Sequence, residues 1–559
     1  MTATRARART IPRSLALCIR RSTRFLWRTT DRACLSLGLI TFLLCATVSL
    51  VLGPPSPRIH DEFSYVLAGD TFAHGRLTNP THPLWQHFES FHVLPRPTYA
   101  SKYQPAPGLF LAAGQVLSGF PIVGVWLSLG LASAAVCWML RAWLPSGWSF
   151  LGTLLLAAGP LVVVRWGDSY WGGAVPLLGG ALTLGAAGRL CRRARAWDGC
   201  LLALGLVLLA TSRPFEGALA SIPALAMLVA CRWQSRRSSA PGWRRSALAF
   251  AVVAFGGVAF IGYYNARVTG SPWTLPYTAY MREYSNVPLF GWGSLGAHRP
   301  YRHEAFERFY REHAEPIYRA TSTATTRWQF KLNLVAAFVF HPFVGYSLTL
   351  PLLLSLVRPR RPVAMAFATC LLVLAGNLMS LWVFSHYFAA AGAALCLLIT
   401  VGLRRLMTLR RPLGAALVTA VIAWAVVEAG QLYRREALIA IDKRQHWAGT
   451  RDRLENELKR QPGPDLVVVR YEKGHNIHQE WVYNRADIDA SPVVWAREMD
   501  EASNRRLLDY FTGRRIWLLV VGPGRFRIVP YPGANGPSAR EPGSEAGGQD
   551  AGTLPPHPP

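Results

Sequence analysis

Hydrophobic residues in this chain come in long blocks separated by short polar connections. Runs such as Ala33–Leu52 and Ala247–Tyr263 approach the ~20 residues that an α-helix needs to cross a bilayer. Eleven blocks predict spans at 33–53, 121–140, 148–165, 172–188, 199–212, 216–231, 246–264, 332–356, 363–384, 388–403 and 412–430. Two connections are long, 54–120 and 265–331, and connections of that length usually carry function. The first ends in Leu109–Leu117, too short to span and expected to lie at the interface. The second contains Tyr301–Tyr318, whose pattern predicts an amphipathic helix.

Beyond Leu432 the pattern changes. Residues 433–460 are charged and predict a helix. Leu466–Tyr471, Val493–Ala496 and Ile516–Val521 read as strands and Glu498–Phe511 as a helix. The expected organisation is a basic N-terminus (1–32), a transmembrane domain (33–430), a helix plus small α/β domain (431–529) and a disordered Pro/Gly-rich tail (530–559). The α/β part, at about 70 residues, sits near the lower limit for an independent core.

Composition sharpens the class. Only 16% of residues are charged and 51% are hydrophobic, against roughly a quarter charged in soluble domains. A soluble enzyme, a disordered chain and a secreted disulfide scaffold are thereby excluded. The net charge of +29 raises the question of nucleic acid, and its distribution answers it. Taking alternate connections from the N-terminus, 1–32, 141–147, 189–195, 232–245, 358–361 and 404–411 hold 26 Lys and Arg against the single acid Asp31. Short basic loops stay in the cytoplasm, so the N-terminus is expected inside and the C-terminal domain outside. The same charge attracts anionic lipid, and no base-reading or stacking element accompanies it. The expected location is a bacterial inner (plasma) membrane, with the first span an uncleaved anchor. All nine cysteines fall in spans or on the inner side, which implies neither a disulfide framework nor zinc spacing.

Candidate chemistry lies in the outer connections. His60-Asp61-Glu62-Phe63-Ser64-Tyr65 directly follows the first span, where a lipid headgroup and a water-borne acceptor can meet. Paired carboxylates there suit general-base work, since partial burial raises a carboxyl toward neutrality; an interfacial cap or ion-pair role is the alternative. Lys102, in Ser101-Lys102-Tyr103-Gln104-Pro105, is either a phosphate ligand or a snorkelling lysine. Asp168, in Gly167-Asp168-Ser169-Tyr170-Trp171, is either a site acid or a helix cap. In the tail, Arg470-Tyr471-Glu472, Glu480-Trp481-Val482-Tyr483-Asn484 and Asp487-Ile488-Asp489 are candidates for a cleft, with turn and surface roles equally open. His475 and His478 lack a third ligand at useful spacing and read as surface residues.

The order of these pieces resembles a known family. A span is followed by DE-x-x-Y, then by the G-x-L-x-x-P of Gly75 to Pro80, then by K-Y-x-P before the second span. This resembles the GT-C superfamily of membrane-embedded glycosyltransferases. The closest branch groups protein O-mannosyltransferases, lipid A aminoarabinose transferases and RgtA/B/C/D-like proteins. Those usually show K-P-P where this chain has Lys102-Tyr103-Gln104-Pro105-Ala106-Pro107. Ser212-Arg213-Pro214 resembles the family's R-P element, Tyr264-Asn265 through Leu275-Pro276-Tyr277 opens the second long loop in its style, and His386-Tyr387 matches a basic-residue–Tyr pair.

The resemblance implies a GT-C-like helical membrane fold, a polyprenyl-phosphate-linked sugar donor and a lipid, glycan or protein acceptor. It implies Asp61 as base, Glu62 or Asp168 holding the sugar or a divalent metal if one is used, and Lys102, Arg213 and His386 neutralising the donor phosphate. Tyr65, Tyr103, Tyr277 and Tyr387 would line the substrate site. One in-line displacement would invert the anomeric centre. The rival class is a lipid or glycolipid transporter, which would place its polar groups near the bilayer midplane. Here only Asn265 and Asn377 hint at that, whereas the acids cluster at span ends.

Overall fold

The computed structural model describes residues 30–234, 241–321, 324–445 and 447–533; the expectations for the basic N-terminus before residue 30 and for the tail after 533 fall outside them. Among the described residues seven helices are long and apolar enough to cross a membrane: Arg32–Leu52, Pro121–Leu140, Pro214–Gln234, Gly242–Thr269, Arg361–Met379, Ser385–Met407 and Pro412–Asp442. Three shorter apolar helices, Ser146–Ala157, Ala174–Leu190 and Ala196–Ala210, join them. Ala174–Leu190 and Ser385–Met407 form the buried centre. The helix Pro241–Thr269 instead turns Leu248, Val252, Phe255 and Val258 outward, as a lipid-facing helix does.

Two expected spans are broken. Residues 148–165 become a helix ending at Ala157, an interruption at Gly159-Pro160 and a π-helical turn, Leu161–Trp166. Proline cannot donate to the helical ladder, and the π turn delivers Gly167-Asp168 to the loop end. Residues 332–356 divide into Ala324–Val335, a π turn at Ala336–Phe340, His341–Phe343 and Thr349–Ser355. At this second break, Glu428 of the last long helix accepts the N–H groups of Tyr346 (2.8 Å) and Ser347 (3.1 Å). Backbone freed inside a membrane protein must find such partners.

Connections meet one another at two ends of the bundle. At one end Arg58 reaches Asp168, His303 reaches Gln86, Trp171 packs on His386 and Ala106 bonds Thr211. At the other, Arg405 donates to the Leu354 and Ser355 carbonyls and Arg189 to that of Trp138. Leu109–Leu117 is part of a helix, Pro105–Ser118, packed between His60–Ala73 and Pro121–Leu140. Tyr301–Tyr318 is helical from Glu304, with a π turn over Arg308–Ala314.

The last long helix runs unbroken from Arg411 to Gln445, straight through the expected boundary at 431. The tail sheet is four-stranded. Asp465–Tyr471 lies between the parallel strands Val493–Arg497 and Arg515–Gly522, and Arg525–Pro530 pairs antiparallel at the edge. That fourth strand escaped the sequence reading because Arg525-Phe526-Arg527-Ile528 is half exposed and carries two arginines. The tail core is continuous with the first loop: Phe63, Leu67, Phe88 and Tyr99 pack in one cluster with Trp447, Trp481 and Trp495. Sharing that core relieves the small-domain problem. Polar ties reinforce it, since Asp70 accepts from Gln115 Nε2 at 2.7 Å and from the Ala486 N–H at 2.8 Å.

Candidate active site at the loop end of the bundle

The site helix His60–Ala73 carries the chemistry of the first loop. Each residue of an α-helix turns about 100° from the last, so the adjacent acids part company. Asp61 faces Tyr103 and His92. Its carboxylate accepts a hydrogen bond from the Tyr103 hydroxyl and lies 3.4 Å from His92 Nδ1. Tyr103 stacks on Tyr65 at 4.4 Å. Lys102, 4% exposed, holds its ammonium 5.1, 5.0 and 4.7 Å from the ring centres of Tyr103, Tyr277 and Tyr280. The faces of aromatic rings attract cations. Arg213 stacks 4.3 Å over Tyr387 and acts electrostatically on Lys102, Tyr65 and Tyr103.

The electrostatics reverse one expectation. Burial alone would raise the Asp61 carboxyl, but His92, Lys102 and the Tyr103 hydroxyl outweigh it and hold the acid well below the usual carboxylate range. Asp61 is therefore a fixed anion, not a carboxyl poised near neutrality. Burial has the opposite consequence for Lys102. It pushes the ammonium down to about 7, with Asp61 opposing the shift and Arg213 adding to it. Among the described residues Lys102 makes no ion pair; its ammonium faces three aromatic rings.

Glu62 and Asp168 belong to a neighbouring cavity of about 530 Å³, together with Arg58, Trp171, His386 and His478. Glu62 is fully enclosed and accepts the N–H groups of Arg58 (2.8 Å) and Tyr170 (2.9 Å). Asp168 accepts from Ser49 Oγ at 3.2 Å and lies 3.6 Å from the Arg58 guanidinium. These acids clamp the start of the site helix to the loop 167–171. Among the described residues no group of three or more His, Cys, Asp or Glu converges as metal ligands. His386 is buried between Trp171 (4.6 Å) and Phe384 (5.6 Å), on the wall of this cavity.

Other assignments change. His475 is not a surface residue: it is 4% exposed and stacks on Tyr471 at 4.2 Å. His478 packs 4.6 Å from His313 and 5.9 Å from His60. Glu480, Trp481 and Tyr483 are buried. Glu480 pairs with Arg497 and accepts from Tyr471, while the Tyr483 hydroxyl lies 2.8 Å from His60 Nδ1. The tail does form a cleft, about 370 Å³, between the strand ends around Arg470–Glu472 and Arg302–Arg308. Asp487 instead anchors the turn to Ala490 and Ser491.

Sequence reasoning missed His92, Tyr280 and Glu89. Glu89 gathers the Tyr284 hydroxyl (2.6 Å), His303 (3.3 Å) and Arg302 (3.4 Å), and its carbonyl accepts from Arg497. None of the three sits in a distinctive motif; their partners come from distant segments. The local sequence, His87-Phe88-Glu89-Ser90-Phe91-His92, mixes polar and aromatic residues and singles out neither Glu89 nor His92.

No family model matches the chain, and no curated protein sequence does either. Among solved structures it is similar to ArnT from Cupriavidus metallidurans bound to undecaprenyl phosphate, at 12% identity, with 87% of this chain and 92% of that chain covered and a TM-score of 0.49. It is also similar to the archaeal oligosaccharyltransferase AglB from Archaeoglobus fulgidus in complex with an inhibitory peptide and a dolichol-phosphate, at 12% identity, 87% and 69% coverage and a TM-score of 0.44. Likeness of this degree concerns the course of the chain, not its chemistry.

Proposed function

We propose that the protein is a membrane glycosyltransferase that moves a sugar from a polyprenyl-phosphate-linked donor to an acceptor hydroxyl at the extracytoplasmic face, with inversion. The observation that carries this reading is a cluster of opposite charges among aromatic rings. A fixed anion, Asp61, a buried cation, Lys102, and a half-buried one, Arg213, meet at the loop end of an apolar bundle. The motif resemblance of the same residues to GT-C enzymes supports a lipid-phosphate donor.

Each group has a task in that reaction. The leaving lipid phosphate gains charge as the glycosidic bond breaks, and cations held in a dry site stabilise that charge far better than water does. Lys102 and Arg213 supply them. Asp61 provides negative charge where the acceptor hydroxyl gives up its proton. The tyrosines Tyr65, Tyr103, Tyr277 and Tyr387 offer flat faces suited to a sugar ring. A single in-line displacement inverts the anomeric carbon.

The test is turnover of labelled polyprenyl-phosphate sugars by the purified protein in liposomes. Release of polyprenyl phosphate with a glycosylated acceptor of inverted configuration supports the reading. Movement of intact glycolipid between leaflets without bond cleavage supports the transporter instead.

A further inference from the structure

His92 departs from ordinary backbone. Its φ is 64°, in the left-handed region that non-glycine residues seldom occupy. Three hydrogen bonds fix it there. Its N–H donates to Tyr280 Oη at 3.0 Å, and its carbonyl accepts from Ser64 Oγ at 2.6 Å and from the Lys102 N–H at 3.2 Å. Strained conformations of this kind persist where the surroundings over-determine them, and they concentrate at functional sites.

The strain aims the imidazole. Nδ1 lies 3.4 Å from Asp61 Oδ2 and 3.3 Å from Tyr103 Oη. A carboxylate beside one ring nitrogen keeps the proton on that nitrogen and leaves the lone pair on the other. Nε2 has no hydrogen-bond partner among the described residues, and the side chain is 12% exposed. This is the arrangement in which an aspartate orients a histidine base and offsets the imidazolium that forms.

We propose that His92, through Nε2, is the general base of the transfer, and that Asp61 is its positioning residue. The inference rests on the glycosyltransferase reading and refines which group takes the proton. His92 Nε2 removes the proton from the acceptor hydroxyl. The freed oxygen pair forms the new bond to the anomeric carbon. The bond from that carbon to the phosphate oxygen breaks, its electron pair staying on the phosphate beside Lys102 and Arg213. The imidazolium, balanced by Asp61, returns its proton to water after product release.

Charges around the ring agree with this role. Asp61 and His60 face it from the site helix, Lys102 and Tyr103 from the segment after a short hairpin that pairs Val93–Leu94 with Ala100–Ser101, and Tyr280 from the helix Pro276–Tyr284. Burial and Lys102 keep the free imidazole neutral, with Asp61 opposing them.

The experiment compares the full-length wild type with His92→Asn and His92→Gly, using a panel of radiolabelled polyprenyl-phosphate hexoses and pentoses. Asparagine tolerates the left-handed backbone and still presents an N–H toward Asp61, but it has no base. In His92→Asn, kcat is expected to fall about 100-fold or more, with donor KM and unfolding temperature unchanged and the acid limb of the pH–rate profile gone. In His92→Gly, added imidazole is expected to restore turnover. An acid limb that survives in His92→Asn overturns the proposal whatever the rate. So does a kcat within about threefold of wild type, or a folded His92→Gly variant that imidazole does not rescue. Wild-type protein that cleaves none of the donors overturns the glycosyltransferase reading and this proposal with it.

Discussion

The Lys102 ammonium lies 4.7 Å from the centre of the Tyr280 ring, and Tyr103 and Tyr277 close around it. A buried cation caged by aromatic faces, with no ion pair among the described residues, is suited to an anion that arrives and leaves. Burial lowers the ammonium to about 7. The binding-competent charged form therefore predominates below that value, and is lost as pH rises through it. Donor affinity is expected to weaken above pH 7. Bound phosphate favours the ammonium and moves the transition upward from there. In Lys102→Met the pH dependence should vanish and Kd should rise about 10- to 100-fold, the range for a lost charge-assisted hydrogen bond. Equilibrium binding of a polyprenyl-phosphate sugar between pH 6 and 9 measures both.

Asp61→Asn removes the anion without removing the shape. Turnover should fall about 100-fold or more, while protein yield stays near wild type. Single-turnover assays on the purified variant check this, and near-normal turnover would take Asp61 out of the reaction centre.

The ion pair of Arg497 with Glu480 is enclosed on both sides, at 3% and 0% exposure, and Arg497 also donates to the Glu89 carbonyl at 2.9 Å. Removing one member of a buried pair leaves the other charged and unsolvated. Arg497→Ala should destabilise the tail and first loop together by about 3–5 kcal/mol, read as a lower unfolding temperature. Replacing both residues by apolar ones of similar size should recover much of the loss.

Gly124 allows the helix Pro105–Ser118 to approach Pro121–Leu140. A Cβ there would stand 1.9 Å from the Phe110 carbonyl oxygen, and backbone cannot step aside as a side chain can. Gly124→Ala should cost at least about 1–3 kcal/mol and disturb the helix that follows Lys102. Gly256→Ala is the control, since nothing lies within 4 Å of its added Cβ; it should be neutral or slightly stabilising. Thermal unfolding in detergent separates the two.

Much of the architecture was legible because it depends on short-range and averaged properties. Long apolar runs predict helices, and the bias of arginine sorts their ends. The breaks at Pro160 and before Thr349 were hidden because apolar composition continues across them. The fourth tail strand was hidden by its alternating arginines. The site was legible in part. Asp61, Lys102, Arg213 and four tyrosines were singled out from motif order; in the structure Tyr103 touches Asp61, Tyr65 and Lys102, and Arg213 stacks on Tyr387. Glu62 was paired with Asp61 by adjacency, yet helical rotation sends it to bind backbone N–H groups instead. His475 and His478 read as surface residues because nothing nearby in the sequence announces the aromatic partners that cover them.

The sequence alone determined that this chain is a helical membrane protein with its acids, tyrosines and histidines concentrated in the connections of one end. Hydrophobic transfer and charge asymmetry act residue by residue, and both can be read along a line. Only the tertiary structure decided which of those polar residues meet. His92 reaches Asp61 through a hairpin and a left-handed backbone turn, Tyr280 reaches Lys102 from a loop more than 170 residues away, and Arg213 arrives from a turn between two spans. Such contacts depend on how separate elements pack, and on the electrostatics of the enclosure they make. No local pattern encodes that enclosure.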